Sequence, residues 1–185
     1  MVEQEIKRHL QSIEKLLHTL SDDIAKGCEM VQNTLTNGHK IVLMGNGGSA
    51  ADAQHIATEL VCRYKTTRQA LPAIALGNNP ALLTALGNDL GFDRLFAREI
   101  EALAHKGDLL IAISTSGNSS NILRALKVAK EKGCLTLGLG GKSGGKMQTL
   151  CDHAIIVEEE DTPRIQEAHT LIGHIFAQAA DDLYC

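Results

Sequence analysis

His55 and Glu59 stand four residues apart in a segment with helical spacing. Residues at positions i and i+4 lie on the same face of a helix, one turn apart. An imidazole and a carboxylate placed in this way could bind a divalent metal ion or act as an acid and a base. On an ordinary surface helix the same pair is only a solvated contact. Its position favours a functional role, because the segment begins directly at a glycine-rich loop.

The last helical segment carries a second polar set, Gln166, His169 and His174, in an otherwise apolar stretch. Gln166 and His174 are eight residues apart, which is about 80° around a helix and roughly 12 Å along it. Spacing alone does not place both on one small ion, unless the side chains lean toward each other or come from different subunits. His169 is closer to Gln166, and spacing does not exclude it.

Two loops rich in glycine and hydroxyl groups follow apolar runs and lead straight into helical segments. The first spans residues 45–49 (GNGGS) and the second residues 114–120 (STSGNSS). A helix N-terminus offers free backbone N–H groups and the positive end of its dipole, and glycine lets an anion approach closely. Serine and asparagine are also common helix caps. Five hydroxyl groups in seven residues favour a phosphate site at the second loop.

The first loop also fits the dinucleotide-binding pattern G-x-G-x-x-A across Gly45, Gly47 and Ala50. That pattern requires an acidic residue about 20 residues later, at the end of the second strand, to bind the ribose. No Asp or Glu occurs between Glu59 and Asp89. We therefore expect no nucleotide cofactor.

Five short apolar runs alternate with helical segments and must position these groups. The runs cover residues 41–45, 72–77, 109–114, 135–140 and 153–158. The helical segments are 49–64, 80–86 with 92–105, 120–132, 145–150 and a final one from Arg164. Apolar strands that alternate with helices predict a parallel sheet covered on both faces, in an α/β fold. Ligands of such sheets bind at the carboxyl ends of the strands, where the two loops lie.

Residues 3–36 precede the sheet and have helical spacing of isoleucine and leucine. The polar step at 21–23 and Gly27 predict a division into two helices, and Gly38 is expected to close the second. We expect one domain over residues 1–185, with a helical hairpin at 1–37 and the α/β core and C-terminal helix at 38–185. Such a hairpin packs either on its own domain or on another subunit.

The composition excludes several classes of protein. Aromatic residues make up 3% of the 185 residues and the net charge is −4, which disfavours nucleic-acid binding by base stacking or backbone contacts. Five scattered cysteines without C-x-x-C spacing are typical of free thiols in a reducing compartment. The charged, amphipathic residues 1–10 do not have the apolar region of a leader peptide, so none is expected, and no apolar window approaches the ~18 residues that a membrane span needs. A cytoplasmic location is expected.

Five motifs follow one another along the chain: GNGGSAADAQHIATEL (45–60), GND-x-GF (87–92), ISTSGNS (113–119), GGKM (144–147) and RIQEAH-x4-H (164–174). Together they resemble the sugar isomerase (SIS) domain and, more closely, the bacterial phosphoheptose isomerases. The resemblance covers nearly the whole chain. It implies a flavodoxin-like three-layer αβα sandwich with a five-stranded parallel sheet. It also implies a homotetramer with active sites between subunits.

The resemblance further implies an aldose–ketose isomerase that converts sedoheptulose 7-phosphate to D-glycero-D-manno-heptose 7-phosphate through a cis-enediol. This is the first step of nucleotide-activated heptose biosynthesis for lipopolysaccharide or capsule. One Zn²⁺ per subunit is implied, with ligands at His55, Glu59, Gln166 and His174. The implied substrate contacts are Asn46, Gly47, Gly48, Glu59, Asn88, Asp89, Ser114, Thr115, Ser116, Ser119 and Gln166. Ser49 is added for its place at the start of the predicted helix.

In this interpretation Glu59 is the base on carbon and His174 serves the substrate oxygens. Glu59 cannot bind zinc tightly and act as a free base without a change of coordination. Three roles of the metal therefore stay open: structural, inhibitory, or exchanged during turnover. One alternative is a non-catalytic SIS protein that binds a phosphosugar or the replication initiator DnaA. Another is an isomerase for a different phosphosugar. His55, Glu59 and His174 favour the phosphoheptose isomerase, since those branches often differ at these positions.

Overall fold

The sheet of the computed structural model, which describes residues 1–184, has five strands. They are β1 (Ile41–Gly45), β2 (Ala73–Ala75), β3 (Leu109–Ser114), β4 (Leu135–Gly141) and β5 (His153–Val157). All pairs are parallel, and the order across the sheet is β2-β1-β3-β4-β5. The chain leaves β1 toward β2 and returns on the other side of β1 to form β3. Ligands of open α/β sheets bind at such a switch point, outside the carboxyl ends of the strands.

Helices cover both faces of this sheet. They are α1 (Val2–Thr19), α2 (Ser21–Thr36), α3 (Gly48–Val61), α4 (Pro80–Asp89), α5 (Leu95–Leu103), α6 (Ser120–Glu131), α7 (Met147–Leu150) and α8 (Thr162–Tyr184), with a 3₁₀ turn at Phe92–Arg94. Alternate strand residues point to opposite layers. Leu109, Ile111 and Ile113 pack with α2, α3 and α8, whereas Leu110 and Ala112 pack with α5, α6 and α7. The predicted three-layer αβα sandwich with a parallel sheet is confirmed.

The two predicted N-terminal helices are present, but they are separated by Leu20 alone. Both pack more extensively on α8 than on each other. The division falls directly before the polar residues 21–23, as predicted, but the expected part of Gly27 in it is wrong, because Gly27 lies inside α2. A Cβ at Gly27 would lie 2.8 Å from the ring of Phe176, so the missing side chain serves close packing between α2 and α8.

Two element boundaries differ from the predicted ones for local reasons. The helix expected over 80–86 continues to Asp89, and its start is capped by Asn79, whose side-chain oxygen accepts hydrogen bonds from two backbone N–H groups. The helix expected over 145–150 begins only at Met147, because Gly144 and Gly145 adopt φ values of +78° and +55°. Among the described helices, none combines the length and the apolarity required to cross a bilayer.

Candidate functional site

The two polar loops meet at the switch point of the sheet and are joined by a pair of side-chain amides. Asn46, after β1, donates to Oδ1 of Asn121 at 3.0 Å, and Asn121 donates back to Oδ1 of Asn46 at 2.9 Å. Asn121 is 1% exposed, and its Oδ1 also accepts from the backbone N–H of Ile122. The two loops therefore form one continuous surface. Sequence reasoning missed Asn121, although a buried asparagine in the first turn of an apolar helix was a usable signal.

The loop after β3 gathers hydroxyl groups at the N-terminus of α6. Gly117 has φ +62°, and a Cβ there would overlap the carbonyl oxygen of Gly144, so only glycine fits. The backbone N–H of Met147 donates to the carbonyl of Gly117 at 2.9 Å, so the GGKM segment holds the loop in place. The hydroxyls of Ser114 and Ser119 lie 3.4 Å apart beside the first turn of α6. This is the arrangement expected of an anion site.

Other predicted residues of this loop take different parts in it. The hydroxyl of Ser116 accepts a hydrogen bond from the backbone N–H of Asn118 at 3.2 Å, which shapes the turn. Thr115 is half-buried. Its carbonyl oxygen lies close to Gly141 at the end of β4. All four predicted residues of the loop thus lie at the carboxyl edge of the sheet.

The loop after β1 places its predicted residues beside the start of α8. Gly47 has φ +58° at the entry to α3, and Ser49 is buried in the first turn of that helix. Gly48 is in direct contact with the side-chain amide of Gln166. The structure therefore brings Asn46, Gly47, Gly48, Ser49 and Gln166 to one end of the paired helices α3 and α8.

His55, Glu59 and His174 form a cluster further along the same two helices. The Nε2 atoms of His55 and His174 are 2.9 Å apart, and Nε2 of His55 is 3.7 Å from Oε1 of Glu59. One ligand atom from each residue lies within 4.8 Å of the others. The side chain of His55 is 46% exposed and that of Glu59 is 20% exposed. Two imidazoles and a carboxylate are a donor set that suits Zn²⁺.

The cluster forms because α3 and α8 run side by side in the same direction. Contacts advance along both helices together: Thr170 donates to Asp52 at 2.8 Å, and one turn later Gly173 faces Ile56. A Cβ at Gly173 would lie 2.5 Å from two carbon atoms of Ile56, so the glycine permits the close approach. Their neighbours His55 and His174 are thereby brought together. Sequence reasoning did not identify Gly173.

Gln166 lies apart from this cluster, at the loop end of α8. It is eight residues from His174, which is about 12 Å along the helix. Three of the four predicted metal ligands are therefore together, and the role of Gln166 as a ligand stays a prediction. The alternative, His169, is fully buried with its Nε2 3.0 Å from the carbonyl oxygen of Gly140. Burial lowers the pKa of His169, which favours a neutral ring that packs on β4.

Asn88 and Asp89 lie at the C-terminal end of α4 and are exposed. The side-chain amide of Asn88 donates to the carboxylate of Asp89 at 2.7 Å. Among the described residues, no hydrogen bond joins either side chain to the two loops or to the histidine cluster. Their predicted contact with substrate therefore stays a prediction.

Tyr64 is an aromatic neighbour of the cluster that sequence reasoning missed. Its ring stacks on the imidazole of His174, with centroids 5.5 Å apart and an interplanar angle of 25°. The ring of His55 meets the same imidazole edge-on, with centroids 5.1 Å apart and an angle of 75°. His174 is thus packed between two rings. In the sequence, Tyr64 is distinguished only by the rarity of aromatic residues in this chain.

Comparisons with known proteins agree with this arrangement. A model of the SIS domain family matches residues 6–141. The phosphoheptose isomerase of Aliarcobacter butzleri is 54% identical over 179 residues, which cover 97% of this chain and 95% of that protein. The phosphoheptose isomerase of Nitratiruptor is 52% identical over 183 residues, covering 99% of this chain and 98% of that protein.

Two solved structures have the same architecture over nearly their full length. The phosphoheptose isomerase GmhA from Neisseria gonorrhoeae superposes with a TM-score of 0.92 at 36% identity, covering 98% of this chain and 97% of that one. The phosphoheptose isomerase from Francisella tularensis superposes with a TM-score of 0.94 at 34% identity, covering 98% and 96%. The chain therefore belongs to the SIS domain family and, within it, to the phosphoheptose isomerases.

Proposed function

We propose that this protein converts sedoheptulose 7-phosphate to D-glycero-D-manno-heptose 7-phosphate, the first step toward nucleotide-activated heptose. Relatives that are named phosphoheptose isomerase are about 50% identical to this chain, and the matches cover almost their whole length. The observation in this chain that carries the proposal is the cluster of Glu59 with two imidazoles, all within 4.8 Å. An aldose–ketose isomerase needs such an acid–base set beside a site for a sugar phosphate.

The reaction moves a proton between C1 and C2 through a cis-enediol and a second proton between the two oxygens. In this proposal the carboxylate of Glu59 removes the proton from one carbon and returns it to the other. His174 exchanges the proton of the neighbouring oxygens. The two side chains have atoms within 4.8 Å of each other, so they can reach adjacent atoms of one substrate.

The phosphate of the substrate is assigned to the loop after β3. The hydroxyls of Ser114, Ser116 and Ser119 and the backbone of Thr115 surround the N-terminus of α6, where the helix dipole favours a negative charge. No lysine or arginine occurs in residues 114–120. Hydroxyl groups and backbone N–H groups therefore take the place of a basic cluster. Asn46 and the adjoining glycines would contact the sugar hydroxyls.

We also propose one Zn²⁺ per subunit at His55, Glu59 and His174, with Gln166 as the fourth ligand, either supplied by a neighbouring subunit or brought to the ion by leaning of the two side chains of α8. The donor types and their separations of no more than 4.8 Å for the first three residues support this set. When bound, zinc would polarise the carbonyl group of the substrate as a Lewis acid. Glu59 belongs to both the metal set and the acid–base pair, so a chelator should show whether activity depends on the metal.

Assembly as a homotetramer with active sites between subunits is part of the proposal. His55 lies seven positions after Gly48, which is about 10 Å along α3, so the loops and the cluster of one chain are well apart. His55 is exposed and open to a neighbouring subunit. Helix α1 also carries exposed apolar side chains at Val2, Ile6, Leu10 and Leu17, with 55–67% of each exposed. A partner chain would cover them.

A cytoplasmic location is proposed as well. Cys28, Cys62, Cys134 and Cys151 are free thiols, as expected for a protein kept in a reducing compartment. The alternative of a non-catalytic SIS protein is not favoured, since Glu59 and His174 are both present and close together.

The decisive experiment is incubation of the purified chain with sedoheptulose 7-phosphate, with and without a chelator. We expect the aldose to appear in the NMR spectrum, and we expect chelation to slow its formation. Binding of the ketose without any aldose product would instead identify a non-catalytic binding protein. Full activity after complete removal of zinc would refute a catalytic metal and leave Glu59 as a free base.

A further inference from the structure

Tyr64 lies in a segment that is neither helix nor strand, yet its ring is fixed against His174. The segment 62–68 is the first part of the connection between the end of α3 and the strand β2. Stacking of the Tyr64 ring covers one face of the imidazole, and the edge-on contact from His55 limits rotation of the ring on another side. Contacts between aromatic rings at these separations prefer defined orientations. The orientation of His174 thus depends on where the segment 62–68 places Tyr64.

A buried ion pair determines the position of that segment. Nε of Arg68 donates to Oδ1 of Asp181 at 3.0 Å, and the two side chains are only 1% and 2% exposed. Oδ2 of Asp181 accepts hydrogen bonds from the backbone N–H groups of Lys65 at 2.9 Å and Thr66 at 3.2 Å. These contacts tie the residues directly after Tyr64 to the end of α8. Several hydrogen bonds to one buried carboxylate fix the donor groups in one arrangement around it.

The same arginine also holds the end of α3. Nη2 of Arg68 donates to the carbonyl oxygen of Glu59 at 2.9 Å, and Nη1 donates to that of Leu60 at 2.7 Å. Orphan carbonyl groups at a helix C-terminus need such partners. One guanidinium therefore connects the helix that carries Glu59, the segment that carries Tyr64 and the helix that carries His174.

We infer that Tyr64 is a positioning residue for the cluster: its ring holds the imidazole of His174 in the orientation that faces His55 and Glu59. The Arg68–Asp181 pair holds Tyr64 in turn. The inference rests on the proposed roles of His174 as a metal ligand and as an acid–base group. Removal of a residue that orients a metal ligand typically weakens metal binding by about 10- to 100-fold.

The test compares three variants of the full chain. Tyr64→Leu removes the ring, Tyr64→Phe keeps the ring without its hydroxyl, and Tyr184→Leu makes the same change in the only other tyrosine. Tyr184 packs on the core about 15 Å further along α8 than His174. Zn²⁺ affinity is measured by competition with a chromophoric chelator, and kcat and KM are measured with sedoheptulose 7-phosphate. Thermal unfolding shows which variants are merely destabilised.

We expect Tyr64→Leu to weaken zinc binding about tenfold or more and to lower kcat with little change in KM. Tyr64→Phe should restore both values, and Tyr184→Leu should keep both while it unfolds at a lower temperature. Wild-type zinc affinity and kcat in Tyr64→Leu would overturn the inference, as would equal loss in Tyr64→Phe and Tyr64→Leu. If the wild-type chain binds no zinc, the proposed metal site fails, and kcat alone then decides the positioning of His174.

Discussion

In the proposed function, Glu59 acts both as the base on carbon and as a metal ligand. Its side chain is 20% exposed, which leaves access for a substrate, and it lies within 4.8 Å of the two imidazoles. A carboxylate that accepts a proton from carbon loses this ability entirely as an amide, although the amide has the same shape. One substitution can therefore separate the proposed chemical role of Glu59 from its contribution to folding.

Replacement of Glu59 by glutamine should reduce turnover by about two or more orders of magnitude, because a positioned general base contributes ~10²–10⁴-fold. Folding and binding of the phosphosugar should be largely retained. The rate of aldose formation and the affinity for the sugar phosphate measure the two effects. Glu101→Gln is the matched control, since Glu101 is an exposed glutamate paired with Arg98 on α5. Turnover near the wild-type value in Glu59→Gln would remove Glu59 from the role of base.

The residues of the site differ in how far the sequence reveals them. The helical spacing of His55 and Glu59 is sufficient to place them on one face, because both lie in a single regular element. Tyr64 is not found in this way, since it lies in an irregular segment and contacts a residue 110 positions later. Asn121 is missed for a related reason: its partner Asn46 lies on a different loop, and only the strand order brings the loops together.

At the scale of elements, the Arg68–Asp181 pair joins α3, the segment 62–68 and α8. Burial on its own raises the pKa of Asp181, but hydrogen bonds from the backbone N–H groups of Lys65 and Thr66 and from Arg68 outweigh it. The net pKa of this carboxyl is therefore lowered. A carboxyl whose pKa is lower in the folded state stabilises that state at every pH above its unfolded pKa of ~3.9. This stabilisation is lost as the pH falls through the folded pKa.

Replacement of Asp181 by asparagine should lower the free energy of unfolding by about 3 kcal/mol at pH 7, because it leaves a buried guanidinium without its counter-charge. The difference from the wild type should begin to shrink below about pH 4, because the unfolded carboxyl then binds protons while the folded carboxyl, whose pKa is lower, is still ionised. Urea unfolding between pH 7 and pH 3 measures both quantities. Asp182→Asn, which changes an exposed neighbour, is the control. An equal loss of stability at pH 7 and pH 3 would contradict the electrostatic explanation.

The elements themselves follow closely from the sequence pattern. Short apolar runs bounded by glycine or polar residues identify all five strands, and the two polar loops identify the carboxyl edge. The errors arise where tertiary packing or backbone conformation overrides the pattern. Gly27 resembles a helix break but permits close contact with Phe176, and Gly144 and Gly145 delay the start of α7 through positive φ values. A single sequence does not distinguish a glycine that ends a helix from one that permits close packing.

For the whole molecule, the proposed homotetramer draws on the exposed apolar face of α1. Leu10 and Leu17 are 60% and 64% exposed, although both belong to the same helical stripe as the half-buried Ile13. A groove beside them is lined by Leu171 and Ile175 of α8. Contiguous apolar surface of this kind marks contact sites between proteins. The predicted homotetramer would bury it.

Replacement of Leu10 by lysine should therefore dissociate the assembly while it leaves the fold of each chain intact, because a surface substitution costs an isolated chain about 0.5 kcal/mol or less. Sedimentation velocity gives the mass of the assembly, and aldose formation should fall with it if the sites lie between subunits. Leu135→Lys, at an exposed leucine that begins β4 at the amino-terminal end of the strand, is the control. A tetramer of unchanged mass in Leu10→Lys would exclude this face of α1 from the interface.

The parallel packing of α3 on α8 also restricts how the chain can vary in length. Gly48 meets Gln166 at one end of the pair, and His55 meets His174 at the other. An insertion or deletion of one residue in either helix between these contacts would rotate the far contact by about 100° and shift it by ~1.5 Å. The two histidines would then face different directions, whatever their identities. Away from Gly48, Gly173 and the two histidines, substitutions in these stretches are therefore expected to be better tolerated than changes in residue number.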